Sequence, residues 1–381
     1  LIGLILPSHF RSGYFLQGTA RNPTVNGVKN DMTTTTDIRA TPNAFNRKAQ
    51  SPETLAQALG PLQTLVNGNQ WVGDTGFNLM VVPNPASQFI VMVSPIFETH
   101  IFDEVPAPVP NRTMLNGTEK IGAVKYSQIV AENVTKNILH EETGMWLNQT
   151  LGSGANDPEF GLGMVNGTLP TGQDATTLVT ANPIVRSGTI PHGNTIQATG
   201  VWTSTGVIEH FSGNIQSLIS VSNFQNDGAG NLQFLPVYAD GADPTDLQAA
   251  YKTQLEASLQ RLGNPALTVH QFIDPIGFLN SQANNLIEVV SMAVTTETSK
   301  GAVINIPFEM AVVAPQNFIC TFLIETVVNT STDATIGSSQ DENPNFFQLQ
   351  YLQSIPLLFP QGFNKKDVIF PHFNCNTLIA I

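Results

Sequence analysis

The sequence predicts a mostly β protein, and three observations lead there. Charged residues make up 12% of the 381 positions, about half the share of roughly 25% usual in soluble domains. The polar surface must then come from Asn, Gln, Thr and Ser, which with 30 glycines and 25 prolines favour strands and turns over long solvated helices. Several segments also alternate with period two. Phe318, Cys320, Phe322 and Ile324 share one strand face, and so do Phe347, Leu349 and Tyr351, with Gln348 and Gln350 opposite. Hydrophobic residues at 41% supply a sizeable core.

Taken in chain order, residues 1–50 have weak periodicity. Asn22-Pro23, Asn26-Gly27 and the run Thr33 to Thr36 suit turns and extended chain, an arm or strap ordered by something else. Ser51-Pro52-Glu53 then opens a short helix, with an N-cap, a proline at the first position and an acid at the positive helix end. Its stripe is Leu55, Ala58 and Leu59, and Gly60-Pro61 closes it. Strand patterns dominate from Trp71. Gln88 to Phe102 is one run broken at Pro95, Gly122 to Val130 a second, and Ile196 to Phe211 a third with Gly200 as a bulge. Leu286 to Thr296 and Ala302 to Val313 are expected to pair through a turn around Lys300-Gly301.

One segment, about 244–262, is clearly helical. Asp243-Pro244 starts it, Leu247, Tyr251, Leu255 and Leu259 recur every fourth residue, and Gly263 ends it. So narrow a stripe suits a brace on a surface. Residues 152–172 are Gly/Asn-rich, a surface loop inserted in a domain spanning 51–381. No fixed-period repeat occurs.

A net charge of −13, with Arg47-Lys48 and Lys365-Lys366 the only basic doublets, argues against nucleic-acid binding. The two cysteines, Cys320 and Cys375, exclude a thiolate zinc site and are either a disulfide or two buried thiols. The apolar start Leu1 to Leu6 is too short to span a bilayer, and no other segment approaches that length. It reads either as the trimmed end of a signal peptide or as a first strand. Asn-x-Ser/Thr sequons stand at Asn111, Asn116, Asn133, Asn148, Asn166 and Asn329, which favours a secreted glycoprotein, although Asn- and Thr-rich chains generate the motif by chance.

No enzyme signature is present. There is no nucleophile elbow, no phosphate loop and no zinc-protease motif, and Ser187 and Ser212 are ordinary turn serines beside glycine. His140-Glu141-Glu142 and His210 lack further residues at metal-ligand spacing. The carboxylates of Glu141 and Glu142 would face opposite sides of a strand, as would those of Asp341 and Glu342.

Several blocks, in order, resemble a family of lipocalin-like β-barrels of bacteria and fungi described as haem-binding or nitrobindin-like. They include Leu59-Gly60-Pro61-Leu62, Trp71 to Asn78, Glu98-Thr99-His100, Val109-Pro110-Asn111-Arg112 and Ile190-Pro191-His192-Gly193. Asn264-Pro265, Asn305-Ile306-Pro307-Phe308, Phe322 to Val327, Gln350 to Gln353 and Phe370-Pro371-His372 continue the series. The resemblance covers roughly residues 50–381. It implies a closed or nearly closed antiparallel barrel with a cavity, the helix near residue 55 being placed to plug one end.

Within that frame the expected ligand-binding wall is Trp71, Phe89, Val91, Phe322, Ile324, Phe347 and Tyr351. The resemblance makes His372 a polar contact, or the iron ligand if haem is bound. His192 is a second candidate, read otherwise as a turn-bracing side chain. Phe outnumbers Tyr and Trp, 22 against 5 and 3, which suits a carotenoid, retinoid, fatty acid or porphyrin. The expectation is a non-catalytic carrier or storage protein for a hydrophobic pigment or lipid. A haem protein with redox or nitrogen-oxide chemistry and a structural assembly protein are the alternatives. The arm at 1–50 is suited to embracing a neighbour in a homo-oligomer.

Overall fold

Long alternating strands bury one face each by curling into a cylinder. The structure, a computed structural model, describes residues 56, 58–105, 121–148, 184–190, 193–205, 225–226, 232–264, 267–282, 286–296, 301–307, 312–328 and 345–381. The arm at 1–50 and the inserted loop at 152–172 lie outside them.

The strands in chain order begin with β1 (Gln70–Gly73), β2 (Phe77–Asn84), β3 (Gln88–Glu104), β4 (Gly122–Glu132), β5 (Ile138–Asn148), β6 (Ile184–Thr189) and β7 (Thr195–Thr205). Short strands β8 (Gln225–Asn226), β9 (Leu232–Gln233) and β10 (Val237–Tyr238) follow. Then come β11 (Leu286–Thr295), β12 (Ala302–Ile304), β13 (Ala314–Pro315), β14 (Ile319–Val328), β15 (Asn345–Ser354), β16 (Leu357–Phe363), β17 (Lys366–Phe370) and β18 (Phe373–Ala380). The main helices are α1 (Gln63–Gly68), α2 (Thr245–Leu262), α3 (Val269–Ile273) and α4 (Pro275–Ser281).

The wall runs β18-β15-β14-β11-β7-β6-β5-β4-β3, every pairing antiparallel. Successive segments β1 and β2 share the gap between β3 and β18 and close a ten-strand barrel. Trp71 lies opposite both His100 and Ala380, and Phe77 opposite both Pro95 and Cys375. Gly73 and Gly76 flank the β1–β2 break because a Cβ at either would collide with the Thr377 or Cys375 carbonyl of β18.

Four local expectations are corrected. Pro95 does not break its strand: β3 runs through it, and only the buried face changes, from Phe89, Val91 and Val93 to Ile96, Glu98 and His100. Gly60-Pro61 does not end the helical segment; Pro61 takes the second position of a 3-10 turn (Gly60–Leu62) that leads into α1. Gly200 keeps unbroken register with Ile184 and Val294, and its lack of a Cβ is required by the Ala293 carbonyl beside it. β11 and β12 do not form a hairpin. Both lie along β7 in the same direction, as one interrupted strand, with Thr295 opposite Thr199 and Ala302 opposite Gln197.

Two cores result. The outer one lies between the barrel wall and a cover made of α2, α3, α4 and the small sheet β10-β17-β16-β13. The α2 stripe of Leu247, Tyr251, Leu255 and Leu259 is buried there. Asp243 Oδ1 accepts from the Thr245 amide at 3.0 Å, and Gly263 ends the helix in the left-handed region at φ 64°. The inner core fills the barrel, and Leu59, Leu62 and Leu65 close one end against Trp71, whose indole donates to the Leu65 carbonyl at 3.1 Å.

Much of the Phe excess belongs to the outer core. Phe77 packs on Phe272 (centroids 4.1 Å apart) and Phe278 (5.0 Å), and Phe89 packs on Phe370 (4.7 Å). Phe89 and Val91 therefore do not line the lumen, because the odd face of the first half of β3 turns outward beneath the cover. Cys320 and Cys375 are both free and buried, Cys320 in the inner core and Cys375 in the outer, so the wall separates them. Among the described residues no helix is long and apolar enough to cross a membrane.

Candidate functional site

Inward-facing positions are apolar near the α1 end and turn polar halfway along the barrel. Of the expected wall residues, Trp71, Phe322, Ile324 and Tyr351 lie in the inner core, and Phe347 packs against it half-buried. Trp202 is likewise half-buried against this core, next to Met292 in the ladder. The lumen is not an open tube: at mid-height its side chains are fully enclosed and pack on one another.

A buried polar cluster occupies that level. Strand spacing builds it, since residues two apart share a face. Glu98 and His100 of β3 both point inward, as do His140 and Glu142 of β5. Glu98 accepts four bonds: from His100 Nε2 at 2.5 Å, Gln128 Nε2 at 2.7 Å, Tyr351 Oη at 2.6 Å and Asn376 Nδ2 at 3.0 Å. Asn374 Nδ2 donates to the same tyrosine oxygen at 2.7 Å. Burial opposes ionisation of Glu98, but the charge and hydrogen bond of His100, with those of Tyr351 and Asn376, hold its carboxyl below the ordinary value.

Across the lumen, Glu142 accepts from Arg186 Nη2 at 2.6 Å and, by a short bond, from the Tyr126 hydroxyl. Arg186 Nη1 reaches Gln353 Oε1 at 2.8 Å, bridging β6 to β15. Its guanidinium carbon lies 5.2 Å from the Tyr126 and Phe318 ring centres and 5.5 Å from that of Trp146, a cation enclosed by aromatic rings. Burial again opposes the Glu142 charge, yet Arg186 and His140 bring its carboxyl down to about 2. Gly144 and Gly188, paired across β5 and β6, make the room: a Cβ on Gly188 would collide with Tyr126 Oη and Glu142 Oε1.

Three lumen atoms are buried without a hydrogen-bond partner among the described residues: His100 Nδ1, Gln128 Oε1 and Trp146 Nε1. Such atoms are costly to leave unmatched and mark where a polar partner is stabilising. No group of three or more His, Cys, Asp or Glu side chains among the described residues is placed to hold a metal ion.

Other sequence candidates fall elsewhere. His372 precedes β18 and is half-buried, its carbonyl accepting from the Ile355 amide at 2.9 Å and Ser354 Oγ at 3.1 Å. It is not a member of the lumen cluster, whose histidines are His100 and His140. A porphyrin does not fit over His100, because the Phe102, Tyr351 and Phe322 rings already stand 5.6, 5.5 and 6.0 Å from it. His192 and His210 lie outside the described residues, as do the sequons at Asn111, Asn116, Asn166 and Asn329. Asn133 is half-buried and bonds the Asp74 carbonyl, while Asn148 is buried, donating to the Ala58 carbonyl at 3.0 Å. A glycan on Asn148 is incompatible with this packing, since the modified amide must reach solvent. Ser187 stands within β6 rather than in a turn.

Comparison with known proteins adds little. No family model matches the chain, and no curated protein matches it. The solved structures it is similar to include that titled "Crystal Structure of Rv2717c from M. tuberculosis", at 10% identity over 87% of this chain and 98% of the other, with a TM-score of 0.32. RV0216 of Mycobacterium tuberculosis, described as having a double hotdog fold, aligns at 9% identity over 87% and 82% with a TM-score of 0.12. Likeness at this level carries no argument about fold or role.

Proposed function

We propose that this chain is a non-catalytic carrier or storage protein for a hydrophobic small molecule held in the apolar half of its barrel. The observation that carries the reading is the division of the lumen. Below the polar cluster it is closed by packed, hydrogen-bonded side chains, whereas on the α1 side the inward-facing Trp202 and Phe347 stay half-buried beside Ile324 and Leu349. Apolar walls over a polar floor suit a ligand with an apolar body, bound by area removed from water at roughly 25 cal/mol per Å² less the ordering cost.

All three tryptophans, Trp71, Trp146 and Trp202, belong to or pack against the inner core. Energy transfer from them to a bound apolar fluorophore therefore reports occupancy. Saturable transfer to N-phenylnaphthylamine is expected, with Trp202→Ala and Phe347→Ala each weakening it by about tenfold, the equivalent of one well-buried apolar contact. Folded protein that gives no saturable signal would rule the carrier reading out.

A further inference from the structure

We propose that the ligand taken up by this barrel carries a neutral hydroxyl head, and that His100 and Gln128 are the residues that recognise it. The inference rests on the carrier reading above and names the class of molecule. His100 and Gln128 lie directly opposite each other on β3 and β4, both facing the lumen and both about 1% exposed. Each spends one side-chain atom on Glu98: His100 Nε2 at 2.5 Å and Gln128 Nε2 at 2.7 Å. The remaining atom of each, His100 Nδ1 and Gln128 Oε1, is buried and unmatched among the described residues.

Gln128 Oε1 can only accept a hydrogen bond. His100 Nδ1 accepts in the neutral ring and donates in the protonated one. A hydroxyl both donates and accepts: with the ring protonated it accepts from Nδ1 and donates to Gln128 Oε1, matching both atoms, and with the ring neutral it donates to one of them. Charged heads suit the site less. Glu142 is already paired with Arg186 at 2.6 Å, and Glu98 is matched by His100 and three neutral donors. Neither a carboxylate nor an ammonium would find an uncompensated partner, and both would have to give up water. The placement fits the ligand's body as well. The His100 ring lies against Phe102, Phe322 and Tyr351, at the boundary where the apolar half meets the polar floor.

The test is displacement of bound N-phenylnaphthylamine from the intact protein by dodecanol, dodecylamine, dodecanoate and dodecane. Dodecanol is expected to displace the probe about tenfold more effectively than the other three, and Gln128→Leu to reduce dodecanol to the level of dodecane. Equal displacement by all four, or a preference for the amine or the carboxylate, overturns the head-group assignment while leaving the carrier reading intact. Failure of the probe itself to bind overturns the carrier reading, and the assignment with it. The wild-type series decides the matter even where Gln128→Leu does not fold.

Discussion

A guanidinium enclosed by protein needs its charge balanced and its N–H groups matched, and Arg186 has both: Glu142, the Tyr126 hydroxyl and Gln353 surround it. Removing it would leave the buried Glu142 carboxyl with only His140, the Tyr126 hydroxyl and Gln353 beside it. Arg186→Met is therefore expected to destabilise the fold by about 3–5 kcal/mol, measured as a lower midpoint in urea. A loss below about 1 kcal/mol would show that Glu142 finds other compensation. The sequence gives only faint signs of this cluster. Arg186 falls on the same strand face as Ile184, and nothing within β6 says that the face is closed off from water. Glu98/His100 and His140/Glu142 are more legible, because acid and histidine two residues apart on a strand must share a side. Their mutual placement is set by β3, β4, β5, β15 and β18 together, so local pattern alone could not assemble it.

Elements show the same division between local and tertiary causes. β14, β15 and α2 are readable because ten to eighteen residues repeat one period and end on clear stop signals. The outer cover misleads sequence reading: it buries the odd face of early β3 and collects phenylalanines that composition alone assigns to a ligand cavity. Glycines inside strands are similarly ambiguous until the neighbour is known. Gly188 has an ordinary strand conformation, and what forbids a side chain there is the Tyr126–Glu142 bond in front of it. Gly263 needs its left-handed backbone but has open space around it. The two should respond differently to alanine. Gly263→Ala is expected to cost about 1 kcal/mol, through backbone strain, and Gly188→Ala about 2–4 kcal/mol, through overpacking and a severed buried bond. Thermal melts of both variants check the order, and a smaller loss at Gly188 would mean that the lumen can yield.

At the scale of the whole molecule, opposed carboxyl shifts shape stability against pH. Glu142 titrates near 2 in the folded protein, and Glu98 is also lowered. The unfolded chain, with glutamates at about 4.3, binds more protons between those values. Stability contributed by these groups is present above pH 4.5 and is lost as pH falls toward 2. Glu325, buried on the outer face of β14, behaves in the reverse sense. Desolvation raises its carboxyl to about 7 despite a hydrogen bond from Gln348 at 2.8 Å. The folded state then holds the extra proton, so stability falls as pH rises from 4.5 to 7. At about 1.4 kcal/mol per pH unit the loss amounts to about 3.5 kcal/mol. The melting temperature should therefore peak near pH 5, with an acid limb set by Glu98 and Glu142 and a neutral limb set largely by Glu325. Glu325→Gln keeps an amide where the protonated acid stood and removes the titration. Its melting curve should match wild type near pH 5 and lie several degrees above it at pH 8, extending the plateau to neutral pH. Parallel curves for the two proteins from pH 5 to 8 would show that Glu325 does not set the neutral limb.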